Sequence, residues 1–259
     1  LLYVQHLMGV GHQMRAAAIS RELVKIGFSV TYVSGGFSVP GLDVGGATFV
    51  QLPPCRAENS SFQTLVNENY EPIDAQWKEP RKELLLDLYT QIEPNILITE
   101  TFPFGRRLMR FELDPLIELA VQAVPKPLIV ASIRDIMEPK SKPERYDEIL
   151  DKVERWYDAI LVHGDENLIP LEATVPIVHA FRSKIYYTGY VGERNLPVDS
   201  SEGENEVVIT AGSGRVGLSL LETAILAKPL SAFSNNHWRI LVGSGLSNSQ
   251  FEALVTKAG

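Results

Sequence analysis

The chain is predicted to be an α/β protein built on doubly wound parallel sheets. Three observations predict it. Short apolar runs alternate with amphipathic stretches at helical spacing, the pattern of βαβ units. Glycine turns link an apolar run to an amphipathic stretch at two places, Gly9-Val10-Gly11-His12 and Ala211-Gly212-Ser213-Gly214-Arg215-Val216-Gly217. The pattern breaks once, over polar residues 192–206, and then restarts. The expected organisation is an N-terminal domain over 1–191, a linker over 192–205, and the start of a second domain of the same architecture over 206–259. Two βα units leave that second domain incomplete, and both ends of the chain read as trimmed.

Each element has its own signal. Residues 1–6 form an apolar run that reads as a buried strand. Residues 13–26 carry Ala16, Ile19, Leu23 and Ile26 at helical spacing, and Gly27 follows as a natural helix stop. Residues 28–34 and 48–52 read as strands, closed by Gly35-Gly36 and Pro53-Pro54. Residues 56–74 are polar and read as a long irregular loop. Helices are expected over 77–92, 113–124 and 144–157. Strands are expected over 96–99, 128–132, 159–162 and 185–188. After the linker, which holds Asn195, Pro197, Ser200, Ser201 and Gly203, strands over 206–210 and 238–242 alternate with helices over 218–227 and 249–257.

Composition narrows the function classes. The chain has 259 residues, 45% of them hydrophobic and 22% charged, as expected of a folded α/β protein. A formal net charge of −8 argues against a general nucleic-acid binder, which needs a basic surface. The single cysteine, Cys55, excludes an internal disulfide and a cysteine-based zinc site. No apolar run approaches the roughly 20 residues that span a bilayer, so no integral membrane segment is expected. No signal peptide is read either. The expected location is cytoplasmic, with peripheral association at a membrane surface left open; no oligomeric state can be read.

In a doubly wound sheet, ligands bind beyond the carboxyl ends of the strands. The residues that follow the strands are Gly9–His12, Ser34–Gly36, Glu100–Arg107, Arg134-Asp135, His163-Gly164 and Gly189-Tyr190. At the first of these, backbone N–H groups of Gly9 and Gly11 and a helix start suit a phosphate. The alternative is a tight strand–helix turn with a capping histidine. Met14 stands where a dinucleotide fingerprint would place its third glycine, and no acidic residue follows the second strand, so a dinucleotide is disfavoured. His12 is the candidate general base for an acceptor hydroxyl, its pKa lowered at a helix start. Glu100 is placed to orient His12 or to accept from that hydroxyl. Arg15, Arg106, Arg107 and Arg134 are candidate anion contacts, and His163 a candidate substrate contact. Each also has a bland reading as a solvated charge, an ion pair or a satisfied histidine. No paired histidine spacing suggests a metal site. The second glycine loop lacks a Gly-Lys-Ser/Thr ending, so ATP hydrolysis is not supported; Ser213, Gly214, Arg215 and Gly217 remain candidates for donor-phosphate oxygens, against a plain tight turn.

Several stretches together resemble a family. They are Gly9-Val10-Gly11-His12 with Arg15, Val33-Ser34-Gly35-Gly36, Gln51-Leu52-Pro53-Pro54, Glu100 to Arg107, Ser132-Ile133-Arg134-Asp135, Leu161-Val162-His163-Gly164-Asp165 and Tyr187-Thr188-Gly189-Tyr190-Val191. The combination resembles glycosyltransferases of the GT-B fold, in the branch of the peptidoglycan N-acetylglucosaminyltransferase and the galactolipid synthases, and within it a bacterial family of predicted glycosyltransferases. That resemblance implies two Rossmann-like domains. It also implies a metal-independent transfer of a hexosyl or N-acetylhexosaminyl group from a nucleotide diphosphate sugar, such as a UDP-sugar, with no other cofactor. The acceptor would be a small molecule or a lipid, bound on the N-terminal side. The strongest donor motifs of the class lie later than Gly259, so the chain alone is expected to be inactive if it is a fragment. A nucleotide-sugar 2-epimerase and a non-catalytic nucleotide-sugar-binding protein share the layout and stand as alternatives.

Overall fold

A computed structural model describes residues 1–59, 61–139, 142–192, 203, 205–212, 217–243 and 245–258. They fall into two compact units, one of Leu1–His6 with His12–Gly192, the other of Leu7–Gly11 with the C-terminal residues.

The first unit is a seven-stranded sheet. Its strands are β1 (Leu2–Val4), β2 (Thr31–Ser34), β3 (Thr48–Gln51), β6 (Ile96–Glu100), β7 (Leu128–Arg134), β8 (Ala159–His163) and β9 (Ile185–Tyr187), in the order β3-β2-β1-β6-β7-β8-β9. Every pairing in it is parallel. β1 stands third in that order, and it pairs with β2 on one side and β6 on the other. The strand order therefore reverses between β1 and β6, which is the topological switch point of a doubly wound sheet.

The two faces of β1 explain the layering. Leu2 and Val4 point to one face and cluster with Tyr32 and with Ala16 and Ala17 of helix α1 (Gly11–Lys25). The two alanines let that helix lie close to the sheet. Tyr3 points to the other face, towards α2 (Ala75–Ile92) and α3 (Arg110–Gln122). Helix α4 (Glu144–Trp156) links β7 to β8. Helix α2 starts two residues before the sequence reading because Asp74 caps it, accepting from Trp77 N at 2.9 Å.

Below the sheet edge lies a buried polar knot. Arg81 and Glu112 are both 0% exposed and form a two-pronged ion pair, Nε to Oε2 at 2.7 Å and Nη2 to Oε1 at 2.8 Å. Arg81 also donates to the carbonyls of Gly35 and Pro53 and to Gln5 Oε1, while Tyr3 donates to Glu112. This knot accounts for Gly35-Gly36. A Cβ at Gly35 would lie 2.2 Å from Gln5 Oε1, and one at Gly36 would lie 2.2 Å from His6 Nδ1. These glycines make room for side chains of the β1 end, a packing demand.

One expectation is corrected. Residues 56–74 include a short antiparallel pair, β4 (Arg56–Ala57) with β5 (Leu65–Val66). Ala57, Leu65 and Val66 are buried, and this small apolar patch folds a segment too polar to show any periodicity. Arg56 lies over the rings of Phe37 and Tyr70, 4.8 and 4.5 Å from their centres.

In the second unit, β10 (Glu206–Thr210) pairs in parallel with β11 (His237–Leu241), and α5 (Leu218–Ala227) and α6 (Asn248–Ala258) accompany them. Arg239 and Glu206 pair across the two strands through two 2.8 Å contacts. Leu221 and Leu254 are the buried hydrophobes of these two helices.

Candidate active site

All strands of the first sheet run the same way, so His6, Ser34, Glu100, Arg134, His163 and Thr188 emerge at or just beyond one edge. Glu100 ends β6 at the switch point, and His12 stands at the start of α1, which follows β1. His12 Nδ1 lies 2.9 Å from Glu100 Oε1. Arg15, one turn along α1, also engages Glu100 Oε1, and Ser132 Oγ donates to Glu100 Oε2 at 2.6 Å. Register explains the last contact, because Ser132 is the partner of Glu100 in the β6–β7 ladder.

Glu100 is fully buried, which works to raise its pKa. The His12 hydrogen bond, the Arg15 charge and the Ser132 hydroxyl outweigh that and hold it at about 2. The carboxyl is therefore ionised at neutral pH and only accepts. That requires the His12 proton to sit on Nδ1. Arg15 Nη2 is 3.3 Å from the same nitrogen, but both atoms then carry protons, so the shared carboxylate joins them. His12 Nε2 keeps its lone pair and makes no hydrogen bond among the described residues. Burial lowers the pKa of His12, opposed by the Glu100 hydrogen bond and reinforced by the charges of Arg106 and Arg15. The sequence points to the helix start as the cause; the structure supplies burial. A neutral imidazole with an accepting Nε2, its far side fixed by a carboxylate, is the arrangement of an oriented general base.

The network continues beyond Glu100. Ser132 Oγ is 2.9 Å from His163 Nε2, and His163 Nδ1 is 2.8 Å from Thr188 Oγ1. Since the Ser132 proton goes to Glu100, His163 Nε2 must donate, and Nδ1 accepts from Thr188. Burial, followed by the charge of Arg15, pulls the pKa of His163 down to about 4. Both ring nitrogens of His163 are thus bonded inside the protein. This residue, expected at a substrate, is placed as an internal link.

The other residues singled out in sequence separate into groups. Arg106 donates through Nε to the carbonyl of Gln5, and the charges of Glu100, Arg15 and Arg134 all act on it. Arg134 is exposed at the end of β7. Arg15 and Arg106 thus act on the Glu100 carboxylate, and Arg134 adds its charge beside Arg106. Arg107 does not join them; it turns outward to Glu148 at 3.3 Å. Gly9 lies in the turn after β1, and Gly11 opens α1, where a Cβ would meet nothing within 4 Å. Ser213, Gly214 and Arg215 lie outside the described residues, while Gly217 directly precedes α5.

The chain between Glu100 and Arg106 is bent sharply. Thr101 and Arg106 adopt left-handed backbone angles, φ 71° and 61°. For a β-branched threonine this conformation is strained, and such strain collects at functional sites. It brings Thr101 Oγ1 to 3.2 Å from His12 Nδ1 and 3.3 Å from Glu100 Oε1.

The sequence reading did not single out His6, Gln13, Thr101 or Ser132 as site residues. His6 is buried and its pKa is pushed down to about 4, by burial first and then by Arg106 and His12. Gln13 Nε2 serves both His6 Nδ1 and Ser34 Oγ, each at 3.1 Å. The signal for Ser132 was a lone hydroxyl in the apolar run of residues 128–133.

No protein-family model matches the chain, and no curated protein matches it. Among solved structures, the chain is similar to MurG of Acinetobacter baumannii at 11% sequence identity and a TM-score of 0.48. The match covers 99% of this chain and 64% of that one, so the chain spans less than two thirds of its length.

Proposed function

We propose that the first unit carries the acceptor-activating half of a glycosyltransferase, with His12 as the general base. The observation that supports this reading is the His12–Glu100 contact at the switch point of the sheet, which leaves His12 Nε2 as an accepting atom at the ligand-binding edge. In the proposed reaction Nε2 takes the proton of an acceptor hydroxyl as its oxygen forms a bond to the anomeric carbon of a nucleotide diphosphate sugar. The bond from that carbon to the diphosphate breaks, and the nucleotide diphosphate leaves with the electron pair. Glu100 holds the ring in the productive tautomer and stabilises the imidazolium. Arg106 and Arg134 supply positive charge for an anionic substrate group. The strand-end stretches that resemble GT-B enzymes support the choice of reaction class, with a hexosyl or N-acetylhexosaminyl group as cargo and a small molecule or lipid as acceptor.

The test is nucleotide diphosphate release by the intact protein from a panel of nucleotide sugars, with and without candidate acceptors and with and without EDTA. Acceptor-dependent release that survives EDTA and falls about 10²–10⁴-fold in His12→Ala, with donor binding retained, is expected. Release unchanged in His12→Ala would sink the base. Conversion of the sugar without any acceptor would replace transfer by epimerisation.

A further inference from the structure

On the far side of the loop 102–106 lies a shallow, solvent-open cleft that takes no part in the His12 network. Phe102, Pro103, Phe104 and Ile149 form its apolar surface, and Arg107, Arg110, Arg145, Glu148 and Lys152 its charged one. Its shape follows from the sequence. Residues 145, 148, 149 and 152 share one face of α4, and residues 107 and 110 lie one turn apart where a 3-10 turn leads into α3.

The charges there do not balance. Glu148 accepts from Arg107 Nε at 3.3 Å through Oε2 and from Arg110 Nη1 at 2.9 Å through Oε1. Asp114 accepts from Arg110 Nε at 3.1 Å through Oδ2 and from Lys152 through Oδ1. Both carboxylates therefore have each oxygen occupied, by three cations between them. Arg145 makes no ion pair among the described residues. Four cations face two carboxylates, an excess of two positive charges. Glu144 and Asp147, on the same helix, do not line the cleft. Lys152 is only 8% exposed and lies 4.3 Å from the centre of the Trp156 ring and 5.4 Å from that of Phe102. Its head group is held at the base of the cleft, while Arg107 and Arg145 stand at the solvent side.

We propose that this cleft is a second anion site, which takes a phosphate monoester with a small apolar group. The dianion matches the excess charge, and two planar guanidinium groups at the solvent side suit its oxygens. Phe102, Pro103, Phe104 and Ile149 cover the organic part. A simple inorganic anion would leave that apolar surface unused. The proposal is independent of the reaction assigned to His12.

Calorimetric titration of the intact protein with phenyl phosphate, inorganic phosphate and phenol tests it. Phenyl phosphate is expected to bind about tenfold tighter than inorganic phosphate, and phenol not measurably. The double variant Arg107→Gln/Arg145→Gln alters two exposed side chains and should weaken phenyl phosphate at least about tenfold, whereas His12→Ala should leave that affinity unchanged. Phosphatidylcholine vesicles with and without phosphatidate, run beside the soluble ester, tell a lipid headgroup from a free phosphate ester; binding to either that is lost in the double variant supports the site. Equal affinity in wild type and double variant, or no binding of any of these phosphates to the wild type, would overturn it.

Discussion

His12 Nδ1 and Glu100 Oε1 meet at 2.9 Å, although 88 positions separate the two residues in sequence. The contact exists because β1 and β6 are neighbours at the point where strand order reverses, so the turn after one strand faces the end of the other. It joins a fully buried carboxylate to a half-buried imidazole. Burying that carboxylate as a charge is offset by three donors besides the imidazole: Arg15, Ser132 and Thr101.

Glu100→Gln should therefore alter the pH profile as well as the rate. Glu100 raises the pKa of His12 both by its hydrogen bond and by its charge, against the effect of burial. Removing the charge, with Arg15 left beside the ring, lowers that pKa. The acid limb of kcat/KM, where the base becomes protonated, should move to lower pH, and the plateau should fall about 10²-fold. A fallen plateau with an unmoved limb would show that Glu100 does not act through His12.

Ser132→Ala tests the relay behind Glu100. It removes the hydroxyl that donates to Glu100 at 2.6 Å and accepts from His163 at 2.9 Å. His163 is left with a buried N–H and no acceptor, at a penalty of about 1–3 kcal/mol in urea unfolding. Glu100 loses one of the contacts that lower its pKa, so its carboxyl should titrate above the present value of about 2, read by carbon NMR. Normal stability together with unchanged titration would remove Ser132 from the network.

The strand ends could be read in sequence because strands buried on both faces end abruptly where polar residues begin. Glu100 and His163 were found that way. Their partners were harder to see for different reasons. Ser132 lies inside a strand, so its place beside Glu100 depends on ladder register, which no local pattern specifies. Gln13 falls on the helix face buried against the sheet, where a polar residue looks like an interruption of the apolar stripe. Arg107 looked like the twin of Arg106, yet the left-handed turn at Arg106 sends the two side chains to opposite sides of the loop. Gly35-Gly36 suggested a ligand loop, and the demand for glycine there comes from Gln5, Arg81 and His6.

Acid should unfold the first unit in two stages. His6 and His163 have folded pKa values near 4 against an ordinary 6.5. Their contribution is complete above pH 6.5 and is lost as pH falls from 6.5 towards 4, because the unfolded chain takes up protons first. Each amounts to roughly 3 kcal/mol. Glu100, at about 2 against 4.5, adds a second loss between pH 4.5 and 2. Urea midpoints measured from pH 7.5 down to 4.5 should fall steadily, and His163→Asn should flatten that slope. An identical slope in the variant would mean that His163 is not buried neutral.

The Arg81–Glu112 pair supplies the last prediction. Neither group touches water, and each is held by the other through two hydrogen bonds. Arg81→Met leaves a buried carboxylate with Tyr3 as its one remaining donor among the described residues, and should destabilise the protein by about 3–5 kcal/mol. Glu112→Leu, which strands the guanidinium, should do the same. In the double variant both charges are gone, so its loss should be smaller than the sum of the singles by about 2 kcal/mol or more. Recovery will be incomplete, since Gln5 Oε1 and the carbonyls of Gly35 and Pro53 then lose the donors Arg81 gave them. Strict additivity of the two single losses in urea unfolding would show that the pair is not coupled.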